Sequence, residues 1–128
     1  MSEANSKYFE RQKIGAVFSE IEAVKKLRDA LDAKFAKDIV VLDLHEVSPI
    51  ADYFVIATGQ NSPQLLSLQD TAEETLDSLG FKLGHIEGHK SAKWILLDYG
   101  SIVVHLFDKE SRDYYNLEHI WGDAKIIN

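Results

Sequence analysis

Cysteine is absent from the 128-residue chain, which excludes disulfide bonds, thiolate catalysis and zinc sites built on cysteine. Long apolar runs are absent too: no stretch approaches the roughly 20 apolar residues that a membrane-spanning helix needs. The first twenty residues also lack the apolar core of a secretion signal. The composition therefore predicts a single-domain cytoplasmic protein that does not contact membranes.

A concentration of positive charge is also missing. The formal net charge is −7, whereas a chain that binds nucleic acid through phosphates needs a dense lysine and arginine surface. The most basic stretch alternates with acidic residues, which is typical of a solvated helix face; its cations are Lys25, Lys26, Arg28, Lys34 and Lys37. We therefore expect little direct contact with nucleic acid and a basic protein as partner, because opposite potentials speed encounter.

The first predicted helix begins at a capping box. Ser19 is placed to cap the backbone, and Glu22, three residues later, to reach back to it. Apolar residues then recur at spacings of three and four until about Ala36, as on one face of an amphipathic helix. The segment before it, residues 1–18, is predicted to be a mobile extension with a short helix over residues 8–17.

A second helix is predicted in the middle of the chain. Ser62 is expected to be its N-cap and Pro63 its first residue. An apolar stripe follows, and Gly80 is expected to end the helix. A final helical turn is expected over Leu117–Ile120.

Short apolar runs predict a sheet. Three of them, β-branched or almost continuously apolar, predict strands at residues 38–44, 53–58 and, more weakly, 81–87. Residues 94–98 and the apolar run after Ser101 predict a hairpin closed by a tight turn at Tyr99-Gly100-Ser101. The order of elements argues for an α/β (α+β-like) domain over residues 19–128, with a single mixed sheet of about five strands and flanking helices.

Candidate catalytic and metal-ligating residues are few. Asp108 and Glu110 could share a magnesium ion if both lay on one face of a strand, but a nucleotidyl transferase also needs a glycine-serine phosphate loop, which the turn at Gly59 lacks. His85 and His89 are four residues apart, but neighbouring glycines disfavour the helix that would bring them together. We therefore predict no catalytic residue, metal site or cofactor, and keep a degenerate nucleotidyl transferase as an alternative.

Trp94 opens the first strand of the hairpin. Side chains alternate along a strand, so Leu96 and Asp98 are expected on the same face as Trp94. If helices cover only one side of the sheet, one face of this strand is open. Trp94 is then either a core residue or an interface anchor, since Trp and Tyr dominate binding hot spots. His105, in the second strand, has no role assigned by the pattern alone.

Four strings of the sequence together resemble the ribosomal silencing factor (Iojap-like) family. They are DIVVLDL, ADYFVIATG, the long run IEGHKSAKWILLDYGSIVVHLFDKESRDYYNLEHIW, and GDA. The resemblance implies a mixed sheet with flanking helices, nucleotidyltransferase-like in shape but without that catalysis. It also implies that the chain binds a ribosomal protein on the intersubunit face of the large ribosomal subunit, blocks subunit joining and represses translation.

The same resemblance implies a partner contact around the Trp-x-Leu-x-Asp stretch. Carried over to this sequence, the implied contact residues are Trp94, Leu96, Asp98 and Tyr99, with His105 and Tyr115 in addition. Organellar relatives assist large-subunit assembly, so an assembly factor that does not silence is an alternative that would use the same surface. An exposed sheet face could also pair with a second copy of the free chain, which leaves a homodimer open.

Two positions depart from the family pattern. Ser101 stands where the turn usually carries an acidic residue after its glycine. The segment Asn61-Ser62-Pro63-Gln64 stands where the central helix usually starts with an arginine-containing segment. The first change is expected to remove one partner contact, and the second leaves no arginine to act at that point.

Overall fold

The structure is a computed structural model that describes residues 18–127. Its centre is one mixed sheet with the strand order β3-β4-β5-β2-β1-β6. The strands are β1 (Lys37–Asp43), β2 (Tyr53–Gly59), β3 (His85–Glu87), β4 (Trp94–Asp98), β5 (Ile102–Asp108) and β6 (Lys125–Ile127). The helices are α1 (Glu20–Ala33), α2 (Ser62–Ser78), α3 (Lys109–Tyr115) and α4 (Leu117–Ile120). The predicted α+β architecture with a single mixed sheet is confirmed.

The centre of the sheet is the parallel pair of β2 and β5, in which Tyr53 lies opposite Ile102 and Gly59 opposite Asp108. Both strands are almost continuously buried, as expected for strands covered on both faces. Every other pair of neighbouring strands is antiparallel. The predicted hairpin is the β4–β5 pair, and its turn is closed by the Tyr99 N–H, which donates to the Ile102 carbonyl at 2.9 Å.

The two faces of the sheet are covered unequally. On one face, α1 and α2 bury their apolar stripes in the main core, which includes Leu27, Leu31, Leu65, Leu68, Val55 and Ile95. The other face has a smaller apolar cluster, which includes Leu42, Ile56, Phe107 and, from α4, Leu117. The sheet is therefore closed by two long helices on one side and only partly closed by short elements on the other.

The chain after β5 differs most from the prediction. The polar segment after Asp108, for which the pattern predicts no element, forms α3 and is capped by the Asp108 carboxylate, which accepts from the Ser111 N–H at 2.7 Å. The predicted turn over Leu117–Ile120 is confirmed as α4. A sixth strand, β6, was not predicted, and the weak third strand is shorter than expected. Three-residue strands contain too few alternations for a periodic signal.

The N-termini of the two long helices allow the predicted N-cap residues to be compared with the observed ones. Ser19 and Glu22 form the predicted capping box. The predicted N-cap of α2 is wrong by one residue, because Asn61 caps it by accepting the Gln64 N–H at 2.8 Å and Ser62 is already helical. Asparagine and serine are equally good caps, so adjacent candidates cannot be ranked by type.

Two further expectations concern the ends of the chain and membranes. The predicted extension over residues 1–18 lies, apart from Phe18, outside the described residues, as does the short helix over residues 8–17. Within the described part, no helix has the length and apolar character needed to cross a membrane.

The two candidate caps of α2 can be told apart by paired alanine substitutions. We expect Asn61→Ala to lower the free energy of unfolding by about 1 kcal/mol, because it removes the acceptor for the Gln64 N–H. Ser62→Ala should change it by less than about 0.5 kcal/mol, since surface substitutions away from caps are nearly neutral. Urea denaturation at pH 7.5 measures both; a larger loss for Ser62→Ala would place the cap at residue 62.

Candidate partner-binding site

Strand β4 presents two different faces. Ile95 and Leu97 are fully buried in the core beneath α1 and α2. Trp94, Leu96 and Asp98 are half-buried, and the first two belong to the smaller cluster on the opposite face. The predicted division of this strand is therefore confirmed: the Trp-x-Leu-x-Asp residues point away from the two long helices.

Trp94 lies in a group of aromatic rings. It is paired across the strands with Phe107, and the two rings stack with centroids 4.9 Å apart. The ring of Tyr115, from α3, packs against the indole at 4.5 Å between centroids. Phe107 is fully buried, whereas Tyr115 is 45% exposed. Trp94 and Tyr115 are therefore the accessible part of the group, held by ring contacts that add to plain burial.

His105 fixes the orientation of the indole. The Trp94 Nε1–H donates to His105 Nδ1 at 3.1 Å. Because Nδ1 accepts, the proton of the neutral imidazole is on Nε2. That Nε2 is buried and finds no hydrogen-bond partner among the residues described. Burial lowers the pKa of His105 to about 4, so the ring is neutral at pH 7 and the hydrogen bond to the indole persists.

Acidic groups border the aromatic surface. Asp98 accepts the Gly100 N–H at 2.7 Å through Oδ1, which uses one of its two carboxylate oxygens to hold the hairpin turn. On the edge strand β3, Glu87 lies opposite Leu96 and His85 opposite Asp98, and directly opposed residues share a face. Glu87 and His85 are exposed. The rim beside Trp94 and Leu96 therefore has two carboxylates, from Asp98 and Glu87.

The predicted contact residues fall into two groups. Trp94, Leu96, Asp98 and Tyr115 lie at the accessible surface of one sheet face. His105, on the same face, is only 4% exposed, and Tyr99, in the core under the long helices, is 8% exposed. Burial raises the pKa of the Tyr99 hydroxyl, which has no hydrogen-bond partner within the described chain.

Neither of the other candidate pairs is assembled into a site. Asp108 is the last residue of β5 and Glu110 belongs to the first turn of α3, so the premise that both lie on one strand is wrong. His85 is in β3 and His89 in the turn after it, without the helix that would align them. Within residues 18–127, neither pair contributes to a group of three metal-ligating side chains.

Sequence reasoning missed Arg112, a buried cation at the carboxyl end of β2. Its Nη1 donates to Thr58 Oγ1 at 2.8 Å, and its Nη2 donates to Glu118 at 2.9 Å. The guanidinium lines an open cleft of about 570 Å³ and joins α3, α4 and β2. This arrangement sets the position of α3 and hence of Tyr115 against Trp94. No periodic signal marks an arginine in a polar segment, so only the fold reveals it.

Comparison with known proteins places these features in a family. Residues 18–128 match the family described as ribosomal silencing factor during starvation. The chain belongs to the ribosomal silencing factor family. The ribosomal silencing factor of Bacillus subtilis is 41% identical over 99 residues, which are 77% of this chain and 84% of that protein. The resemblance seen in the sequence strings is confirmed.

Other members of the family extend the comparison. A crystal structure of a Chromobacterium violaceum protein superposes with a TM-score of 0.76 at 34% identity, covering 81% of this chain and 88% of that one. The mouse protein named mitochondrial assembly of ribosomal large subunit protein 1 is 32% identical over 111 residues, 84% of this chain and 47% of its own length. The sequence relatives of this chain thus include a protein named for large-subunit assembly.

The buried histidine makes a pH-dependent stability prediction. The pKa of His105 is about 4 in the folded chain against an ordinary value of 6.5, so between these values the unfolded chain binds more protons. The stability that the neutral, buried His105 contributes to the folded chain is complete above pH 6.5 and is lost as the pH falls toward 4. We expect about 2 kcal/mol of this contribution to be lost between pH 7.5 and pH 5.

Chemical denaturation of the wild type and of His105→Gln at the two pH values isolates the effect. The variant should lose less stability on acidification than the wild type by about 2 kcal/mol. His85→Gln, which removes an exposed histidine of β3, should behave like the wild type. Equal acid sensitivity of His105→Gln and wild type would show that His105 titrates normally.

Proposed function

We propose that this chain silences translation by binding a basic protein on the intersubunit face of the large ribosomal subunit. Family membership supports a role on the ribosome. The observation that carries the proposal is the half-exposed Trp94–Tyr115 pair beside the carboxylates of Asp98 and Glu87. In this proposal, residues 19–128 form the ribosome-binding domain, which works in the cytoplasm where ribosomes are.

The aromatic pair has the properties of an interface anchor. Trp and Tyr contribute large, rigid surfaces and are enriched among residues that dominate binding energy. The indole of Trp94 is restrained by two contacts: it stacks on the ring of Phe107, and its N–H donates a hydrogen bond to His105. A ring that is already fixed loses little conformational entropy on binding. Trp94, Leu96 and Tyr115 would therefore form the apolar centre of the contact.

The charges favour a basic partner. The chain has a net charge of −7, and Asp98 and Glu87 lie at the rim of the aromatic surface. Rim carboxylates steer association with a positively charged surface and affect the association rate more than the final affinity. Tyr99 and His105 are buried, so in our proposal they support the contact surface without touching the partner.

Inhibition would then be steric. The bound domain, residues 19–128, would occupy space on the intersubunit face that the small subunit needs, so affinity alone suffices and no reaction is required. The second candidate is an assembly factor that visits immature large subunits without silencing them. The name of the mouse relative favours this candidate, which would use the same surface.

Sedimentation separates the two candidate functions. On addition to mature bacterial ribosomes at low magnesium, the silencing factor should travel with free large subunits and reduce the fraction of coupled subunits. An assembly factor should travel with large-subunit precursors and leave mature couples unchanged. If the chain stays at the top of the gradient with mature and immature particles alike, the ribosomal proposal fails.

Substitution of the anchor tests where the contact lies. We expect Trp94→Ala to weaken binding to purified large subunits at least tenfold, since it removes the largest ring of the accessible surface. Tyr115→Ala, at a 45% exposed position, should also weaken binding with less risk to the fold. Phe35→Asn is the matched control: Phe35 is 77% exposed, and asparagine tolerates its left-handed φ of 66°.

The binding measurements are interpreted according to whether each variant keeps the native fold. Circular dichroism and thermal melting identify variants that retain the fold. Wild-type affinity in a folded Tyr115→Ala chain would contradict the proposed contact if the Trp94→Ala chain is either unfolded or unimpaired in binding. An unfolded Trp94→Ala chain would in that case assign Trp94 to the core.

The role of the rim charge is tested by Asp98→Asn. Asparagine retains an oxygen that can accept the Gly100 N–H, so the turn is preserved while the charge is lost. We expect a slower association rate and a weaker dependence of affinity on salt. Asp70→Asn, at an exposed position on α2, is the matched control. Identical salt dependence in Asp98→Asn and wild type would remove Asp98 from the contact.

A further inference from the structure

Three potential metal-ligating side chains from separate segments meet at one end of the sheet. Glu20 is the first residue of α1, His45 follows β1, and Asp52 precedes β2. One ligand atom from each lies within 4.8 Å of the others. We propose that Glu20, His45 and Asp52 form a binding site for a divalent cation of the zinc type. This inference does not depend on the proposed ribosomal function.

The histidine is oriented as metal-ligating histidines are. His45 Nδ1 lies 2.6 Å from Asp43 Oδ1, which also accepts the His45 backbone N–H at 3.0 Å. This bond places the proton of the neutral ring on Nδ1 and leaves the Nε2 lone pair free. Nε2 points toward Asp52, with 3.5 Å between Nε2 and Oδ1. In zinc sites, a ligating histidine usually donates its other ring N–H to a carboxylate, which fixes the tautomer and the orientation of the ring, as Asp43 does here.

The spacing is close to what a metal requires. Tetrahedral zinc with bonds of about 2.0–2.1 Å has ligand atoms about 3.3 Å apart. The His45–Asp52 distance of 3.5 Å already matches that value. The largest separation, up to 4.8 Å, requires side-chain shifts of about 1 Å, and partly exposed carboxylates have room for them. The Tyr53 ring, 5.1 Å from the imidazole between centroids, limits the motion of His45.

The local charge favours a cation. Three carboxylates, from Glu20, Asp43 and Asp52, surround one imidazole, and together they also help burial to raise the pKa of the Tyr53 hydroxyl. Among residues 18–127, Lys125 of β6 lies opposite Asp43 and is a cation that acts on this group. Within that part of the chain, an imidazolium and this lysine leave the three carboxylates with excess negative charge, which a divalent cation bound to His45 Nε2 would balance.

The donor set indicates the class of metal. One imidazole nitrogen and two carboxylate oxygens suit zinc and similar first-row cations. Magnesium and calcium prefer oxygen ligands alone. A bound ion would join the start of α1 to both ends of the loop over residues 44–52, and would leave a coordination position for water.

Calorimetric titration of the untagged 128-residue chain with Zn²⁺ tests the site. The titration is run at pH 8 because the hydrogen bond to Asp43 raises the pKa of His45, and protons would otherwise compete. We expect one Zn²⁺ per chain, with affinity lowered at least tenfold in His45→Gln and in Asp52→Asn. Asp43→Asn should lower it about tenfold through the orientation of the imidazole.

His85→Gln is the matched control. His85 Nε2 also lies 3.5 Å from a carboxylate oxygen, that of Glu87, but both side chains are more than half exposed and belong to no group of three ligands in the described chain. This variant should bind Zn²⁺ within twofold of the wild type, and the imidazole C–H signals of His45 alone should shift in the NMR spectrum. Absence of binding, survival of binding in His45→Gln, or an equal loss in His85→Gln would each overturn the site.

Discussion

The parallel pairing of β2 with β5 is the constraint on which the other elements depend. Parallel neighbours cannot be joined by a tight turn, so the chain leaves the sheet after Gly59, crosses one face as α2 and returns at the far edge as β3 and β4. The antiparallel hairpin then brings β5 back beside β2. This route places β4 next to β5, and the register sets Trp94 opposite Phe107. The position of the candidate contact surface thus follows from the pairing at the centre.

Internal hydrogen bonds hold the side chains of the contact surface in place. The indole N–H of Trp94 donates to His105, so the ring neither needs a water molecule nor turns to find one. Asp98 is restrained by the Gly100 N–H, and α3 is tied to β2 by Arg112. The cost is the unpaired Nε2–H of His105, a buried polar group that lowers stability by about 1–3 kcal/mol. Such a loss is tolerable where it fixes the geometry of a binding ring.

Sequence patterns predicted the parts of the fold that have periodicity and missed those that depend on contacts between distant segments. The capping box at Ser19, the two amphipathic helices and the division of β4 into two faces follow from local spacing. Strand β6 and helix α3 are short or polar and form because β1 and β2 offer them partners. In the candidate site, Trp94 and Asp98 could be selected by type and position, whereas the burial of His105, the network of Arg112 and the meeting of Glu20, His45 and Asp52 depend on tertiary structure.

The edges of the sheet indicate which mode of association is available. Both edge strands among the described residues, β3 and β6, are only three residues long. His85 and Glu87 are exposed on one of them, and Lys125 on the other. Short, charged edges are poor templates for pairing with a strand of another chain. A partner, or a second copy of this chain, would therefore gain little from backbone hydrogen bonds at the edges. The half-covered face, with Trp94 and Tyr115, offers side-chain contacts instead, so recognition should depend on the identity of a few side chains rather than on sheet extension.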